Sequence, residues 1–176
     1  MKKIIAFAAS TSTTSINKQL AAYAASLIEN VDIEVLDLNN FDMPIFSEDL
    51  ERELGSPPKA IAFKQKLKEA DAYIISIAEH NGNFTAAFKN LYDWVSRIEQ
   101  NIFDNKKILL LSTSPGAGGG VRALEIAKLS FPFAHGVIAG EFSLPLFHVY
   151  FKTGKIEDKD IYEQLSEQIQ LLVDGI

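Results

Sequence analysis

The sequence reads KIIAFAA at residues 3–9 and continues directly into STSTTS at residues 10–15. A continuous apolar run of that length is typical of a strand buried on both faces of a parallel sheet. After the hydroxyl cluster, apolar residues recur at helical spacing from Ile16 to Ile28. A strand, a polar loop and a helix in that order indicate the first unit of a parallel α/β sheet.

The same alternation continues along the rest of the chain. We predict further strands over residues 32–38, 72–78, 108–112 and 136–139. Helices are predicted after Pro57, over residues 84–98, ahead of Pro132 and over residues 161–173. Residues 39–58 are the least regular, and residues 141–151 are predicted as a loop or an edge extension. Five strands that alternate with five helices predict a three-layer α/β fold with a five-stranded parallel sheet, in a single domain over residues 1–176.

Composition and charge narrow the class of protein. The 176 residues include 17 Lys and Arg against 23 Asp and Glu, a formal net charge of -6. That balance disfavours nucleic acid and anionic membranes as partners, because both bind basic surfaces. The chain has no cysteine, which excludes disulfides, thiolate metal sites and cysteine nucleophiles, and its three histidines spell no metal motif. No clear signal-peptide cleavage site and no apolar run of about 18 residues is present, so we expect a cytoplasmic protein.

Three polar loops follow the first, third and fourth predicted strands. In such sheets ligands bind beyond the carboxyl ends of the strands, where the strand order reverses. The first loop presents six consecutive hydroxyl residues before a helix start, which predicts an anion site, and a plain helix cap is the alternative. It contains no Lys or Arg and matches neither the dinucleotide fingerprint nor the P-loop pattern.

The other two loops are suited to a flat ligand. The second loop, residues 78–83, contains Asn81 and Gly82, which favour positive φ and expose backbone hydrogen-bonding groups to the edge of a heterocycle. The third loop, residues 112–120, has four glycines that let the backbone approach a ligand closely. A polar turn and a flexible connector are the alternative interpretations. The joint placement of the three loops is a stronger signal than any one of them.

Motifs in these loops resemble those of the NADPH-dependent FMN reductase family, flavodoxin-like quinone, chromate and azo-dye reductases. The family pattern G-S-x-R-x-x-S-x-N is met by ASTSTTSIN at residues 9–17, with Ala9 and Ser12 in place of the glycine and the arginine. After the third strand the family has P-E-Y-N-G, and this chain has AEHNG at residues 78–82. The family then has L-K-N-x-x-D-W, and this chain has FKNLYDW at residues 88–94. S-x-G-x-x-G-G-x-R is met by SPGAGGGVR at residues 114–122. The resemblance covers nearly the whole chain and implies a flavodoxin-like fold.

The resemblance also implies bound FMN, with NADPH or NADH as the reductant and no catalytic side chain on the protein. It places the phosphate on the first loop, at Ser10, Ser12, Ser15, Ile16 and Asn17. It places the flavin ring against Ala78, Glu79, His80, Asn81, Gly82, Thr113, Ser114 and Gly116. His80 stands where the family has tyrosine; a protonated imidazole could stabilise negative charge on the reduced ring, or His80 packs or faces solvent.

The implied activity is a ping-pong oxidation of NAD(P)H, in which small acceptors such as quinones, flavins, azo compounds or chromate take two electrons. An electron-transfer flavoprotein without small-molecule turnover, or a protein that has lost flavin, are the alternatives.

The family implies a homodimer or homotetramer, and the predicted helix over residues 84–98 has a second apolar side at Ala87, Tyr92 and Trp94. Packing of Tyr92 and Trp94 inside the chain is the other interpretation, and Lys89, Asn90, Asp93 and Trp94 are interpreted as structural or interface residues.

Overall fold

Nine strands and seven helices make up the fold, and the computed structural model describes residues 1–176. The strands are β1 (Lys2–Ala8), β2 (Val31–Leu36), β3 (Ala72–Ile77), β4 (Glu79–His80), β5 (Asn83–Phe84), β6 (Lys107–Thr113), β7 (Val137–Leu144), β8 (Phe151–Lys152) and β9 (Lys155–Ile156). The helices are α1 (Ile16–Ser26), α2 (Glu48–Leu54), α3 (Pro58–Glu69), α4 (Ala86–Ile98), α5 (Val121–Ser130), α6 (Phe147–Tyr150) and α7 (Lys159–Val173). Two short 3-10 helices lie at Leu38–Phe41 and Phe131–Ala134.

Five of the strands form one parallel sheet in the order β2-β1-β3-β6-β7. The chain moves from β1 outward to β2 and then returns to β3 on the other side of β1, so the strand order reverses between β1 and β3. The remaining strands form two small antiparallel hairpins, β4-β5 and β8-β9. The predicted three-layer α/β fold with a five-stranded parallel sheet is confirmed.

Two apolar clusters cover the two faces of the sheet. One contains Phe7, Phe88, Trp94 and Phe131 and packs α3, α4 and α5 against the sheet. The other packs α1 and α7 against the opposite face, around residues such as Leu20. The central strands are buried on both faces, because successive side chains of a strand point to opposite sides. No helix in the protein combines the length and apolar character that a membrane span requires.

The last strand of the sheet is longer than the sequence predicts. It runs over Val137–Leu144, whereas the sequence predicts a strand only over residues 136–139, followed by either a loop or an edge extension over residues 141–151. Its burial alternates, with Glu141 exposed and Phe142 buried, because β7 is an edge strand. This part of the sequence therefore has no continuous apolar run. Of the two predicted alternatives, a loop or an edge extension, the structure confirms the edge extension as far as Leu144.

Residues 39–58 contain more regular structure than expected. The 3-10 helix at Leu38–Phe41 and helix α2 lie within or next to this segment. Helix α2 buries none of its residues, so it lacks the apolar periodicity that would predict a helix. Its start is defined by Ser47, whose hydroxyl accepts a hydrogen bond from the backbone N–H of Leu50.

Candidate functional site

The carboxyl ends of β1, β3 and β6 lie side by side, because these strands are parallel neighbours in the sheet. The loops after them surround an open cavity of about 260 Å3, which we call the first cavity. Most residues predicted to bind the cofactor line it: Ser10, Ser12, Ser15, Ile16, Asn17, Ala78, Glu79, His80, Thr113 and Ser114. The structure does not bring Asn81, Gly82 and Gly116 into its wall. Thr14 and Pro115 line it and were not predicted.

The first loop ends in a well-formed helix start. The Ser15 hydroxyl accepts a hydrogen bond from the backbone N–H of Lys18 and caps α1. The backbone N–H groups of Ile16 and Asn17 have no acceptor in the protein, and both residues line the first cavity. Free N–H groups at the positive end of a helix dipole attract an anion. The hydroxyl loop is therefore both the predicted helix cap and a suitable anion site.

No lysine or arginine lines the first cavity. Lys18 follows the loop, and its ammonium group binds the carboxylate of Asp37 at 2.5 Å. This hydrogen bond, together with those from the backbone and side chain of Asn39, lowers the pKa of Asp37 to about 2. Because Lys18 already has an anionic partner, a phosphate on the first loop would be bound through N–H groups and hydroxyls.

Asn17 uses its side chain to join three elements of the fold. Its amide nitrogen donates to the backbone oxygen of Thr113 at 3.1 Å. Its amide oxygen accepts from the Ser76 hydroxyl at 2.8 Å and from the backbone N–H of Thr113 at 3.1 Å. The side chain is buried, and its amide nitrogen keeps one N–H donor without a partner in the protein, in addition to the free backbone N–H of the same residue.

Glu79 in the second loop also has a structural partner. Its carboxylate accepts hydrogen bonds from the backbone N–H groups of Arg122 and Ala123, at 3.0 and 3.2 Å. These groups belong to the first turn of α5, whose capping residue Gly120 has no side chain to offer. Glu79 therefore replaces the missing cap through its Oε2 atom, and its Oε1 atom has no hydrogen-bond partner within the protein.

His80 is exposed and makes no side-chain hydrogen bond within the protein. Its backbone pairs with Asn83 in the β4-β5 hairpin. The turn of this hairpin has positive φ at Asn81 and Gly82, 54° and 74° respectively, as the Asn-Gly sequence predicts. The hairpin fixes the backbone of the second loop and leaves the imidazole free to contact a ligand.

The third loop packs tightly where it turns into α5. The Thr113 hydroxyl donates to the backbone oxygen of Leu144 at 2.7 Å, which joins the ends of β6 and β7. Gly119 has φ of 58°, and a Cβ atom there would collide with the Ser143 hydroxyl. Gly119 is therefore needed for the loop's own packing as well as for any close approach to a ligand.

A second cavity of about 410 Å3 lies on the other side of the first loop, towards α4. Ser10, Ser12 and His80 line both cavities. The rest of its wall consists of Thr11, Thr85, Ala86 and Ala87. Thr85 was not predicted to have a role; its hydroxyl donates to the backbone oxygen of Ala9 and accepts from Phe88 N–H, so it caps α4 and ties it to β1. A threonine just ahead of an apolar helical pattern is the signal that could have found it.

Helix α4 holds the chain segment that precedes α2. The Asn90 side chain donates to the backbone oxygens of Met43 and Pro44 and accepts from the N–H of Phe46. The indole of Trp94 donates to Pro44 oxygen at 2.8 Å. The structural interpretation of Asn90 and Trp94 is thus confirmed.

The predicted second apolar side of α4 is wrong for Trp94, which is completely buried in the core. Tyr92 stacks on Phe131 with ring centroids 5.8 Å apart, and its burial raises its pKa to about 12. Both side chains pack inside the chain, which is the alternative that the sequence left open. Ala87 is exposed and remains available to a partner or a ligand.

The arrangement can bind and orient a ligand that has an anionic group and a flat polar ring. Free N–H groups and hydroxyls at α1 suit a phosphate, and the hairpin backbone suits the edge of a heterocycle. The residues present thus fit FMN.

Several known proteins are similar to this chain in sequence or in fold. Residues 2–149 match the family model described as NADPH-dependent FMN reductase. An NADPH:quinone oxidoreductase from Arabidopsis thaliana is 30% identical over 173 residues, which cover 94% of this chain and 87% of the plant protein. An NAD(P)H-dependent FMN reductase from Pseudomonas aeruginosa is 26% identical over 97% of this chain and 92% of its own length. A solved flavoenzyme, an NAD(P)H:(acceptor) oxidoreductase from Paracoccus denitrificans, superposes with a TM-score of 0.80 at 22% identity, covers 99% of this chain and 97% of its own, and shares its fold.

Proposed function

The chain belongs to the NADPH-dependent FMN reductase family, and from this premise we propose that it oxidises NAD(P)H and reduces small acceptors, above all quinones. Bound FMN supplies the chemistry, because the flavin accepts a hydride from NAD(P)H and returns two electrons to an acceptor. The protein binds the cofactor, orients it and gives successive substrates access. The single observation that carries this proposal is the first cavity, which is formed by the three loops where the sheet reverses its strand order.

We propose that the FMN phosphate binds to the first loop, at Ser10, Ser12 and Ser15 and at the free N–H groups of Ile16 and Asn17. Their position at the start of α1 supports this, because the helix dipole favours an anion there. The ring would then contact the backbone of residues 78–82 and the start of the third loop at Thr113, Ser114 and Gly116. His80 is the side chain in this set that is free to face the ring.

We further propose a ping-pong order, in which the oxidised dinucleotide leaves before the acceptor binds. Neither cavity has a lysine or arginine in its wall, so neither offers a cationic site for the dinucleotide phosphates. A dinucleotide held mainly through its nicotinamide dissociates readily. Initial rates at several fixed acceptor concentrations should give parallel double-reciprocal lines, and intersecting lines would contradict this order.

Acceptors other than quinones, namely free flavin, azo compounds and chromate, belong to the same proposal. The open mouth of the first cavity supports a broad range of small acceptors.

We propose a cytoplasmic location and a single domain over residues 1–176, the latter because both apolar clusters pack on one sheet. We also propose a homodimer or homotetramer, supported by two exposed apolar residues: Leu129, near the end of α5, is 72% exposed, and Phe133, in the 3-10 helix that follows, is 87% exposed.

The test of the cofactor and the activity is the absorbance spectrum of the purified protein, repeated after incubation with FMN and gel filtration. We expect flavin bands that co-elute with the protein and are bleached by NADPH without any acceptor. Reoxidation by a quinone should then restore the bands. Protein that rejects added FMN, or retained flavin that NADPH does not bleach, would contradict the proposed function.

A further inference from the structure

The β4-β5 hairpin turns at Asn81 and Gly82, two neighbours that are placed to react with each other. Asn81 is exposed, its side chain makes no hydrogen bond, and it is the only asparagine in the chain that a glycine follows. We propose that Asn81 is a site of spontaneous deamidation, that Arg122 accelerates the reaction and that bound FMN suppresses it. The suppression rests on the proposed function, whereas the site and the effect of Arg122 do not depend on it.

The backbone nitrogen that would attack Asn81 is free to do so. The N–H of Gly82 has no acceptor within the protein. Gly82 also has no Cβ atom, so its nitrogen can approach the Asn81 side chain without obstruction, and its φ of 74° suits glycine. Each strand of the hairpin contributes only two residues, so a brief opening of the turn that brings the reacting atoms together costs little.

The reaction needs no partner except water, and asparagine is among the thermally labile residues of proteins. The Gly82 nitrogen gives its proton to solvent and attacks the side-chain carbonyl carbon of Asn81, so that a new C–N bond closes a succinimide ring. The side-chain nitrogen takes up a proton and leaves as ammonia. Water then opens the ring at either carbonyl and leaves an aspartate or an isoaspartate at position 81. One water is consumed and one ammonia is released, and no atom is oxidised or reduced.

Arg122 supplies positive charge beside the attacking nitrogen. Its Cδ and Nη1 atoms lie 3.4 and 3.7 Å from the point that a Cβ atom of residue 82 would occupy. Arg122 is exposed and forms no ion pair, and the Glu79 carboxylate is bonded to N–H groups at the start of α5 instead. A guanidinium is always charged, so it stabilises the negative charge that develops on the Gly82 nitrogen during attack.

Two other asparagines lack a free nucleophile and serve as internal references. Asn83 is exposed in the same hairpin, but its Oδ1 atom accepts a hydrogen bond at 2.7 Å from the N–H of Phe84, the group that would have to attack. Asn105 also has a positive φ, 57°, but the N–H of Lys106 after it donates to the backbone oxygen of Phe103 at 2.9 Å. We therefore expect both to react much more slowly than Asn81.

Bound FMN would keep the turn closed. In the proposed function the flavin ring contacts the backbone of residues 78–82, so an opening of the turn would break those contacts and cost part of the binding free energy. Deamidation then accumulates in protein that has lost its cofactor. The isoaspartate product lengthens the backbone by one carbon atom inside a two-residue turn, which disrupts the pairing of the hairpin.

The test follows deamidation at each asparagine by peptide mapping and mass spectrometry, during incubation of the purified protein at a fixed, mildly alkaline pH. In FMN-free protein we expect Asn81 to react at least about tenfold faster than Asn83 and Asn105. Arg122→Gln should slow the reaction about threefold or more, and Arg122→Lys, which keeps a cation, should slow it less. The matched control is Arg52→Gln, which removes the same charge at an exposed position on α2 and should change nothing. A saturating excess of FMN should slow deamidation of the wild-type protein at least about tenfold.

Reaction at Asn81 no faster than at Asn83 would overturn the site. Equal rates in wild type and Arg122→Gln, or equal slowing by Arg122→Gln and Arg52→Gln, would overturn the role of Arg122. Equal rates with and without FMN in protein that retains flavin would overturn the suppression. Failure of the proposed function is a different result, protein that retains no flavin on gel filtration or whose flavin NADPH does not bleach, and the comparison of Asn81 with Asn83 still decides the site.

Discussion

The side-chain amide of Asn17 connects three elements that form the base of the first cavity. It joins α1 to Ser76 on β3 and to Thr113 on β6 through three hydrogen bonds in a buried position. Its partners are far away in the sequence, with Thr113 removed by 96 residues. The motif marks Asn17 as a site residue, but the spacing along the chain contains no information on what its side chain binds. Its role therefore becomes visible only when the strands are assembled.

Replacement Asn17→Ala should destabilise the protein by about 1–3 kcal/mol, because it leaves the Ser76 hydroxyl and both backbone groups of Thr113 without partners. Urea unfolding followed by circular dichroism measures the free energy of unfolding. The control is Asn40→Ala, at an exposed position, where a change within about 0.5 kcal/mol is expected. Equal stability of the two variants would show that the Asn17 hydrogen bonds contribute nothing net.

Replacement Ser12→Arg should tighten FMN binding about tenfold or more, because it adds a cation to a site whose wall has none. Flavin fluorescence quenching on titration into FMN-free protein gives the dissociation constant. Gln19→Arg adds the same charge on the exposed side of α1 and lines neither cavity, so it separates a specific contact from a general field effect. Equal tightening by both variants would contradict direct contact of residue 12 with the phosphate.

Among the helices and strands, prediction from the sequence succeeds for the strands that are buried on both faces of the sheet. The strands β1, β3 and β6 are buried on both faces and read as continuous apolar runs. It fails for α2, because an exposed helix has no apolar stripe, and it leaves the end of β7 open between a loop and an edge extension, because an edge strand alternates. The three loops were predictable because polar residues follow buried strands. The capping of α5 by Glu79 was not, because its partners lie 43 and 44 residues away.

The third loop depends on the backbone conformation of Gly119. Gly119→Ala should cost about 1–2 kcal/mol, because an L-residue is strained at a φ of 58° and its Cβ meets the Ser143 hydroxyl. Thermal and urea unfolding would measure the loss. Gly118→Ala is the matched control, since φ is not positive there and no atom lies within 4 Å of the added Cβ. A loss of equal size in both variants would point to chain entropy instead of local strain.

For the molecule as a whole, ion pairs at the carboxylates make stability depend on pH. Hydrogen bonds from Lys18 and, next in size, from the backbone and side chain of Asn39 lower the pKa of Asp37 from 3.8 to about 2, and a hydrogen bond from Lys3 is the largest cause that lowers the pKa of Glu34. A carboxyl whose pKa is lower in the folded state binds fewer protons there than in the unfolded state over this range. Such a carboxyl contributes fully to the free energy of unfolding at pH values above its pKa in the unfolded state. That contribution is lost as the pH falls through its pKa in the folded state.

We therefore expect the free energy of unfolding to fall between about pH 4 and pH 2, in the window set by Asp37. Urea titrations at pH 6, 4 and 3 measure it. Asp37→Asn removes this titration and should make the decline shallower than in wild type. An unchanged slope would mean that the ion pair of Lys18 and Asp37 contributes little at this exposed position.

The first cavity is assembled from residues between Ser10 and Pro115, and the Thr113 hydroxyl is fixed by the backbone of Leu144. On the ribosome the chain emerges from its N-terminus, so the first loop exists long before its partners do. The binding surface is complete only after Leu144 has been made, because its backbone oxygen fixes the Thr113 hydroxyl. We expect FMN to bind only after β7 has joined the sheet, so the cofactor cannot assist the assembly of the earlier strands.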